Sequence, residues 1–253
     1  MLAVERHRRI LDLVQAQGSI RTVELAQALE VTEETVRRDF EKLELEGQLV
    51  RAHGGAVRLD ANRRDLPLSS RETENVVEKR AIASAALRFI QPGDTVLFDA
   101  SSTVFELARI LPDVAVTVLT PALKVAAELS QRPSVQVVLI GGVLNPRSLS
   151  CQGALADQAL ESYHVQKAFF SCRGVDAERG LSEANDEQAR LKRKILGLVD
   201  SSFLLADHSK MGLRSSFFFA RASGAGTLIT DREPVDALRM ALLSSGGSIV
   251  IPS

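Results

Sequence analysis

The sequence predicts an α/β protein with two domains, an N-terminal winged helix-turn-helix domain followed by a Rossmann-like α/β domain. Residues 1–58 hold three short amphipathic helical segments and a hairpin pattern around a Gly-Gly turn. From Gly93 onward, short apolar runs alternate with helical segments, an order typical of a parallel sheet covered on both faces. Between them, residues 59–74 are polar and carry Pro67, so they predict a linker, with residues 75–253 as the second domain.

Helical spacing of apolar side chains predicts the first two helices, over residues 4–15 and 22–29. A third helical segment follows after only about two further residues. Two short amphipathic helices that are joined this tightly must cross steeply, which describes a helix-turn-helix. After them, "LVRAHGGAVRL" places two short apolar runs around a Gly-Gly turn and predicts the β-hairpin of a wing.

The third helix, in "VTEETVRRDFEKLELEGQ", carries a pair of arginines opposite its apolar side. Thr32 is a suitable N-cap, and Val36, Phe40 and Leu43 form one apolar stripe. On a helical wheel, Arg38 points almost opposite this stripe. The second helix of such a pair enters the major groove of double-stranded DNA, where arginine suits guanine. Candidate contacts to operator DNA on this helix and the wing are Thr35, Arg37, Arg38, Lys42, Arg51 and His53.

The charge of this segment restricts how it could bind DNA. Residues 1–60 hold nine Lys or Arg and eleven Asp or Glu residues, a net charge of −2. Such a domain is not a general polyanion binder, so attraction depends on where the positive side chains lie, and on two copies acting together. We therefore expect a homo-oligomer, either a dimer or a tetramer. A winged helix that binds protein remains an alternative, although it would not need the outward arginines.

Composition narrows the class of protein further. The chain has 253 residues and a hydrophobic content of 45%, enough for a substantial core. No apolar run approaches the ~20 residues of a membrane span and no signal peptide opens the chain, so a cytoplasmic protein without a membrane partner is expected. Cys151 and Cys172 make no disulfide framework, and the histidines show no metal-ligand spacing. Walker-type and GxGxxG loops are absent from the sequence, so neither a metal nor a cofactor is expected.

The second domain repeats a strand-then-helix pattern. Its apolar runs are "TVLF", "VAVTVL", "VQVVLI", "KAFFS", "FLLA", "TLIT" and "SIVI". A sheet of this kind binds ligands beyond the C-terminal ends of its strands. Polar residues recur at these ends, beginning with "DASST" after the first run, where Ser101, Ser102 and Thr103 could offer hydroxyl and N–H groups at a helix N-terminus. Lys192 or Lys210 could neutralise a bound phosphate there, although simple N-capping and surface lysines are the plain alternatives.

With these motifs the chain resembles the DeoR family of bacterial transcriptional regulators, from about residue 6 to residue 231. The resemblance rests on "VTEETVRRDFEKLELEGQLVRAHGGA", "PLSSRETENVVEKRAIA", "FDASST", "KAFFSCRGVD", "GLSEANDEQARLKRKIL" and "LLADHSKMG". It implies a sensor domain with a fold similar to ribose-phosphate isomerases and acyl-CoA transferases. It also implies a phosphorylated sugar or related metabolite as effector, usually an inducer that lifts repression.

The resemblance and the strand-end positions together supply the candidate effector-binding residues. They are Asp99, Ser101, Ser102, Thr103, Thr120, Gly141, Gly142, Arg173, Gly174, Glu187, Lys192, Asp207 and Lys210. Two departures from the family pattern touch this set. The common Asp-Ser-Gly-Thr-Thr loop is Asp-Ala-Ser-Ser-Thr here, and the usual Thr-Asn after the second strand is Thr-Pro.

Two functions of different classes are compatible with these motifs. The first is a repressor of a carbohydrate-metabolism operon, with no catalytic residues, that a phosphorylated sugar releases from its operator. The alternative is a sugar-phosphate isomerase with a DNA-binding appendage, which would need a general base beside the substrate carbon. Asp99, Glu183, Glu187 and Asp207 are candidates for that base, and their spacing singles out none of them.

Overall fold

The computed structural model describes residues 3–45, 48–52, 54–58, 65–244 and 246–252. The chain forms two compact units, Met1–Arg64 and Asp65–Ser253. Among the residues described, no helix is both long and apolar enough to cross a membrane.

The first unit is a winged helix-turn-helix, as the periodicity predicts. Its helices are α1 (Ala3–Gln17), α2 (Thr22–Leu29) and α3 (Glu33–Leu45), and its strands are β1 (Ser19–Arg21), β2 (Leu49–Ala52) and β3 (Gly55–Arg58). The predicted hairpin is the antiparallel pair of β2 and β3, and β1 adds a third strand in the order β1-β3-β2. The sequence does not reveal β1, because three residues are too few to show a period.

Local chemistry accounts for the position of α3. Thr32 Oγ1 accepts a hydrogen bond from the Thr35 N–H at 3.2 Å, so the predicted N-cap is confirmed. The stripe of Val36, Phe40 and Leu43 is buried in the core of the unit. These two features, an N-cap and one apolar face, fix which side of α3 remains outside.

An ion pair that the sequence does not suggest joins α1 to α3. Asp39 is buried, and its carboxylate accepts from Arg6 Nε at 2.5 Å and lies 2.9 Å from His7 Nε2. Burial opposes ionisation of Asp39, but the hydrogen bonds from Arg6 and His7 outweigh it and lower the pKa of this carboxyl. Asp39 therefore stabilises the packing of α3 and is not part of its exposed surface.

The second unit is built on a seven-stranded parallel sheet in the order β15-β14-β12-β9-β4-β5-β6. Its strands, one for each predicted apolar run, are β4 (Thr95–Phe98), β5 (Val116–Thr120), β6 (Val135–Leu139), β9 (Val165–Phe170), β12 (Val199–Leu205), β14 (Thr227–Ile229) and β15 (Ser248–Val250). The helices are α4 (Leu68–Thr73), α5 (Val76–Leu87), α6 (Ser102–Ile110), α7 (Leu123–Leu129), α8 (Ala154–Glu161), α9 (Asp186–Leu196) and α10 (Asp236–Leu243). The predicted Rossmann-like α/β class is confirmed.

Helices cover both faces of the sheet, because alternate side chains along each strand point to opposite sides. Phe98 and Phe169 pack with α5, α6 and α7 on one face. Leu97 and Ala168, their immediate neighbours in the chain, pack with α8 and α9 on the other. Further along that second face, α10 packs against Leu204 and its neighbours.

The order of the strands creates a crevice between β4 and β9. The chain runs from β4 outward through β5 to β6, and then returns to place β9 on the other side of β4. Where the direction of winding reverses, the loops after the two strands leave toward opposite faces of the sheet. The loops that begin at Asp99 and Ser171 therefore open a gap beyond the ends of β4 and β9.

The second unit also contains short strands outside the parallel sheet, which the sequence does not reveal. The hairpin of β7 (Val143–Asn145) and β8 (Ser150–Gln152) follows β6, and β10 (Gly174–Asp176), β11 (Gly180–Glu183) and β13 (Phe217–Ala220) form an antiparallel sheet. Short 3-10 helices follow β12 and β13, at His208–Lys210 and Ala222–Ala225. Most of these elements have only three or four residues, too few for a periodic pattern.

The predicted linker, residues 59–74, does not match the structure over its second half. Residues 65–74 belong to the second unit, and Leu68–Thr73 forms α4 with Leu68 buried. The Leu68 N–H donates to the Arg147 carbonyl at 2.7 Å, and Lys124 Nζ lies 2.7 Å from the Glu72 carboxylate. These contacts with distant parts of the chain hold residues 65–74 in place, although this polar segment shows no apolar periodicity. Residues 59–64 lie outside the described part of the chain.

Candidate functional site

The exposed side of α3 presents the predicted arginine pair. The side chain of Arg38 is 77% exposed and that of Arg37 is 61% exposed. Arg38 Nε lies 3.3 Å from Glu34, and Arg37 Nη2 lies 2.9 Å from Glu33. Exposed pairs of this kind contribute little free energy, so both guanidinium groups can exchange a glutamate for a phosphate or a base.

The other predicted DNA-contacting residues differ in exposure and in their existing contacts. Lys42 is exposed, whereas Thr35 is half-buried with its hydroxyl 2.9 Å from that of Thr32. Arg51, on β2, has guanidinium nitrogens 3.6 Å from Glu41 and 3.7 Å from Glu44. His53 lies outside the described residues. The acidic partners of all three arginines lie on α3, so the negative charge of this unit is concentrated beside the groups expected to meet DNA.

Asp99 occupies the centre of the crevice between β4 and β9. It is 2% exposed, and its Oδ1 accepts from the Ser101 N–H at 2.9 Å. Its Oδ2 accepts from the Ser171 N–H at 3.0 Å and lies 3.0 Å from Lys192 Nζ. Because both oxygens have partners, Asp99 holds the two loops and α9 together, and a contact of Asp99 with an effector stays a prediction.

Lys192, which the sequence offers as one of two lysines that could neutralise a phosphate, is engaged by three acceptors of the protein, and its role in effector binding stays a prediction. Its ammonium lies 3.0 Å from Asp99 Oδ2 and 2.5 Å from Glu183 Oε1, and it donates to the Ser171 carbonyl at 2.7 Å. Burial opposes its charge, but Asp99 and Glu183 outweigh this and raise the pKa of Lys192. An ammonium has three N–H groups, and three acceptors surround this one.

The N-terminus of α6 retains donors that no described residue uses. Ser101 is the N-cap, and its Oγ accepts from the Val104 N–H at 3.2 Å. The backbone N–H groups of Ser102 and Thr103, both residues buried, have no acceptor among the described residues. The positive end of a nine-residue helix with two available N–H groups can bind an anion.

A second polar cluster lies beyond the end of β12. Asp207 is fully buried, and its Oδ1 accepts from Asn75 Nδ2 at 3.1 Å and from the Ser209 N–H at 3.0 Å. Asn75 Nδ2 also donates to Ser209 Oγ at 3.1 Å. Asp207 Oδ2 is buried without a hydrogen-bond partner in the described part of the chain. A buried carboxylate oxygen of this kind favours a ligand that donates a hydrogen bond.

Two lysines adjoin this cluster. Lys79, on α5, is buried, and its ammonium donates to the carbonyls of Arg71 and Glu74 at the end of α4, the latter at 2.6 Å. Burial and the charge of Lys210 lower the pKa of Lys79 to about 8. Lys210 itself is half-buried, and its backbone N–H donates to the Asp207 carbonyl at 3.0 Å, whereas its ammonium has no partner among the described residues. The charges of Asp207 and Glu74 oppose the effect of Lys210 on the pKa of Lys79 but do not cancel the shift.

Charged groups from both clusters affect the pKa of Cys172, in the loop after β9. Burial and Glu183 raise the pKa of the Cys172 thiol to about 12, while Lys192 and Lys210 act in the opposite direction. Lys210 is therefore close enough to the crevice to act on the same buried thiol as Lys192. A thiol with so high a pKa is not a nucleophile at neutral pH, and Cys151 is buried as well.

Several other predicted effector residues have structural contacts instead. Thr120 is fully buried, and its hydroxyl accepts from the Ala122 N–H at 3.1 Å. Gly174 has no room for a side chain, because an added Cβ would lie 2.4 Å from the Leu213 carbonyl oxygen. Glu187 pairs with Arg190 at 3.6 Å, with both side chains substantially exposed. Each of these residues thus has a structural contact, and its part in effector binding stays a prediction.

The remaining predicted residues lie beside the crevice. The Arg173 N–H donates to the Ser182 carbonyl at 2.9 Å, in the loop that follows β9. Gly142 has φ +141°, and an added Cβ would lie 2.7 Å from the Gln152 carbonyl oxygen, so only glycine fits this close approach. Gly141 is exposed, with open space where a side chain would lie.

A small cavity lies beside Asp99, between α9 and the loops that follow β4 and β5. Its walls include Pro121, Gln152, Gln188 and Lys192. The Thr-Pro departure from the family pattern therefore does fall on a cavity wall. Gln152 and Gln188 are new to the site, and the sequence does not single them out.

One group of potential metal ligands also forms in the fold. A ligand atom from each of Glu78, His208 and Asp231 lies within 4.8 Å of the others. His208 Nδ1 is 2.7 Å from Asp231 Oδ2, which identifies the two as a hydrogen-bonded pair. The three residues come from separate parts of the chain, so no sequence spacing could indicate the group.

Among the residues that sequence reasoning missed, Lys79 left the clearest signal. It shares the apolar face of α5 with Ile82, Ala83 and Ala86, at helical spacing. A lysine on a buried face needs partners, and the carbonyls at the end of α4 supply them. Asn75, which joins α4 to α5, adopts a left-handed conformation with φ 48° and left no comparable signal.

Comparison with known proteins identifies the family of the chain. Residues 6–62 match the DeoR-like helix-turn-helix domain, and residues 74–232 match the DeoR C terminal sensor domain. The chain is 44% identical over 231 residues to the uncharacterized HTH-type transcriptional regulator YulB of Bacillus subtilis, which covers 91% of this chain and 90% of that one. It is 33% identical to the HTH-type transcriptional repressor GlcR of the same species, over 99% of this chain and 97% of that one.

One solved structure is a distant structural neighbour. The ribose 5-phosphate isomerase A of Methanocaldococcus jannaschii superposes on 55% of each chain with a TM-score of 0.41 and 16% identity. That likeness is too distant to bear on the chemistry of the site. The two domain matches and the full-length relatives are specific, and they agree with the winged helix and the parallel sheet. The chain belongs to the DeoR family of DNA-binding transcriptional regulators.

Proposed function

We propose that this regulator is a repressor of a carbohydrate-metabolism operon and that a phosphorylated sugar or related metabolite releases it from operator DNA. The observation that carries the proposal is the unpaired ammonium of Lys210, close enough to buried Lys79 to lower the pKa of that lysine. Positive charge that no described carboxylate pairs with is a site for an anion. The free N–H groups of Ser102 and Thr103 supply directed donors of the kind that a phosphate requires.

Asp207 supplies a second contact for the proposed ligand, beside the anion site. Its unpartnered Oδ2 can accept a hydrogen bond from a sugar hydroxyl. A ligand with a phosphate at one end and hydroxyl groups along its length satisfies both the lysine and the carboxylate. Inorganic phosphate alone would satisfy only the first.

The same contacts suggest how effector binding could change the affinity for DNA. Asn75 and Lys79 hold the segment of residues 65–75, which follows directly on the connection to the DNA-binding unit. The start of this segment is also tied to the site, because Asn185 Nδ2 donates to Asp65 Oδ2 at 3.2 Å. A ligand that engages Asp207 and Lys210 would compete with these contacts, and a change in this segment would alter the geometry of two paired DNA-binding domains.

The isomerase alternative receives less support. Asp99 and Glu183 are committed to Lys192, and Glu187 pairs with Arg190, so three of the four proposed bases are occupied. Among the four, Asp207 has a carboxylate oxygen, Oδ2, that is buried without a hydrogen-bond partner in the described part of the chain. Incubation of the protein with pentose and hexose phosphates decides the question, because an isomerase would release the corresponding ketose or aldose phosphate.

The Lys210→Ala variant tests the proposal. Operator release is measured by fluorescence anisotropy against a panel of sugar phosphates, for wild type, Lys210→Ala and the control Lys194→Ala. We expect wild type and the control to be released by at least one compound. Lys210→Ala should bind operator normally but need at least about tenfold more of that compound. Equal release curves for wild type and Lys210→Ala would place the anion elsewhere, and a wild-type protein that no compound releases would refute the proposed effector class.

A further inference from the structure

The small cavity beside Asp99 contains two amide groups with unmet hydrogen-bonding capacity. Gln188, on α9, is 8% exposed, and its Nε2 is buried with no hydrogen-bond partner among the described residues. Gln152, at the end of β8, has a buried Oε1 that likewise has no partner in this part of the chain. Both residues line the same cavity. Buried amide atoms are nearly always paired in native proteins, so a donor and an acceptor left over in one cavity indicate a shared partner.

The other polar groups of the cavity have partners elsewhere in the described part of the chain. The carboxylate of Asp99 is held by the Ser101 and Ser171 N–H groups and by Lys192. Ser150 Oγ lies 2.8 Å from Ser148 Oγ. The rest of the wall is apolar and includes Ala100, Pro121 and Leu191.

The unmet groups define the chemistry of the partner. Gln152 Oε1 needs a hydrogen-bond donor, and Gln188 Nε2 needs an acceptor. A phosphate or carboxylate oxygen can only accept, and an ammonium can only donate, so neither satisfies both amides. A hydroxyl group donates and accepts at once. The cavity has room for about one group of the size of a water molecule, which fits a single hydroxyl.

We propose that Gln152 and Gln188 form a hydroxyl-recognition subsite that reads one hydroxyl of a polyhydroxylated ligand. Lys210 does not line this cavity, and the two charged residues that do, Asp99 and Lys192, are paired with each other. The subsite rests on the proposed function, since it names the part of the effector that the protein discriminates. The phosphate supplies attraction at one end, and the amide pair selects among sugars according to which of their hydroxyl groups reaches the cavity.

The test uses the intact protein with single substitutions Gln152→Leu and Gln188→Leu, the double variant, and the matched control Gln158→Leu, which changes an exposed glutamine on α8. Binding is measured by calorimetry with D-ribose 5-phosphate, D-fructose 6-phosphate, D-glucose 6-phosphate, the three unphosphorylated sugars and inorganic phosphate. We expect each single variant to bind the preferred sugar phosphate about tenfold more weakly, with inorganic phosphate unaffected. The double variant should be no weaker than either single one, because both amides contact the same hydroxyl.

Thermal melting of the ligand-free variants separates recognition from structure. Leucine removes an unpaired polar atom from a buried position, so we expect melting temperatures no lower than that of wild type. If the variants melt lower and bind every compound as wild type does, the amides hold only a structural water and the inference is overturned. Equal losses for inorganic phosphate and sugar phosphates would also overturn it, because the amides would then act on the anion.

The panel also distinguishes this inference from the proposed function. Should wild type bind unphosphorylated sugars alone, with the glutamine variants weakened, the phosphorylated effector is wrong and the hydroxyl subsite stands. Should wild type bind a sugar phosphate with the glutamine variants unchanged, the effector class stands and the subsite is wrong. A wild-type protein that binds none of the compounds refutes both.

Discussion

Replacement of Lys192 by methionine should destabilise the second unit severely, even though this lysine carries no ligand in our proposal. Methionine retains most of the apolar stem, so the change removes the ammonium without opening a large cavity. It leaves the carboxylates of Asp99 and Glu183 facing each other, with side chains 2% and 12% exposed. Removing one partner from such a buried group costs about 3–5 kcal/mol, because the remaining charges are uncompensated.

For a unit of this size, 1 kcal/mol corresponds to about 2–4 °C, so the melting temperature should fall by roughly 6–20 °C. The control is Lys194→Met on the same helix, whose ammonium lies 2.7 Å from Glu161 with side chains 25% and 61% exposed. A pair this exposed contributes less than about 1 kcal/mol.

Denaturant unfolding monitored by circular dichroism measures both variants. A Lys192→Met protein within about 1 kcal/mol of wild type would refute the assignment of Lys192 to the buried ion triad. The triple variant Asp99→Asn, Glu183→Gln, Lys192→Met removes all three charges and should recover part of the lost stability. A triple variant less stable than Lys192→Met alone would show that the hydrogen bonds of Asp99, and not the charges, decide the effect.

Three further outcomes follow from the structure. Arg38→Ala should weaken operator binding by about 1–3 kcal/mol with melting unchanged, and an anisotropy isotherm equal to that of wild type would contradict the groove contact. The pKa of Lys79, lowered to about 8 from 10.5, means that the folded state binds fewer protons than the unfolded state between these values, so the free energy of unfolding should rise from pH 8 to pH 10. In Lys79→Met, the free energy of unfolding should rise less over this pH range than in wild type. If it depends on pH identically in wild type and Lys79→Met, the prediction is wrong. A fragment of residues 65–253 should remain oligomeric in light scattering, because the DNA-binding unit is predicted to depend on pairing through the second unit, and a monomer at micromolar concentration would count against that prediction.

The sequence alone determined the elements that depend on local pattern. Each of the seven apolar runs became a strand of the parallel sheet, because a strand buried on both faces needs a continuous apolar run. The apolar stripe of Val36, Phe40 and Leu43 placed Arg38 outside, because helical periodicity assigns every side chain to a face. The polar residues at the strand ends likewise marked the edge of the sheet where a ligand site could form.

Only the tertiary structure decided which of these polar residues are available to a ligand. Asp99 is far in the chain from Glu183 and Lys192, yet the three form one buried triad, so the Lys192 ammonium already has partners within the protein. Gln152 and Gln188 meet in a cavity that no spacing in the sequence indicates. The physical reason is that the availability of a polar group depends on its partners and its burial, and both are set by contacts between distant segments that local periodicity does not encode.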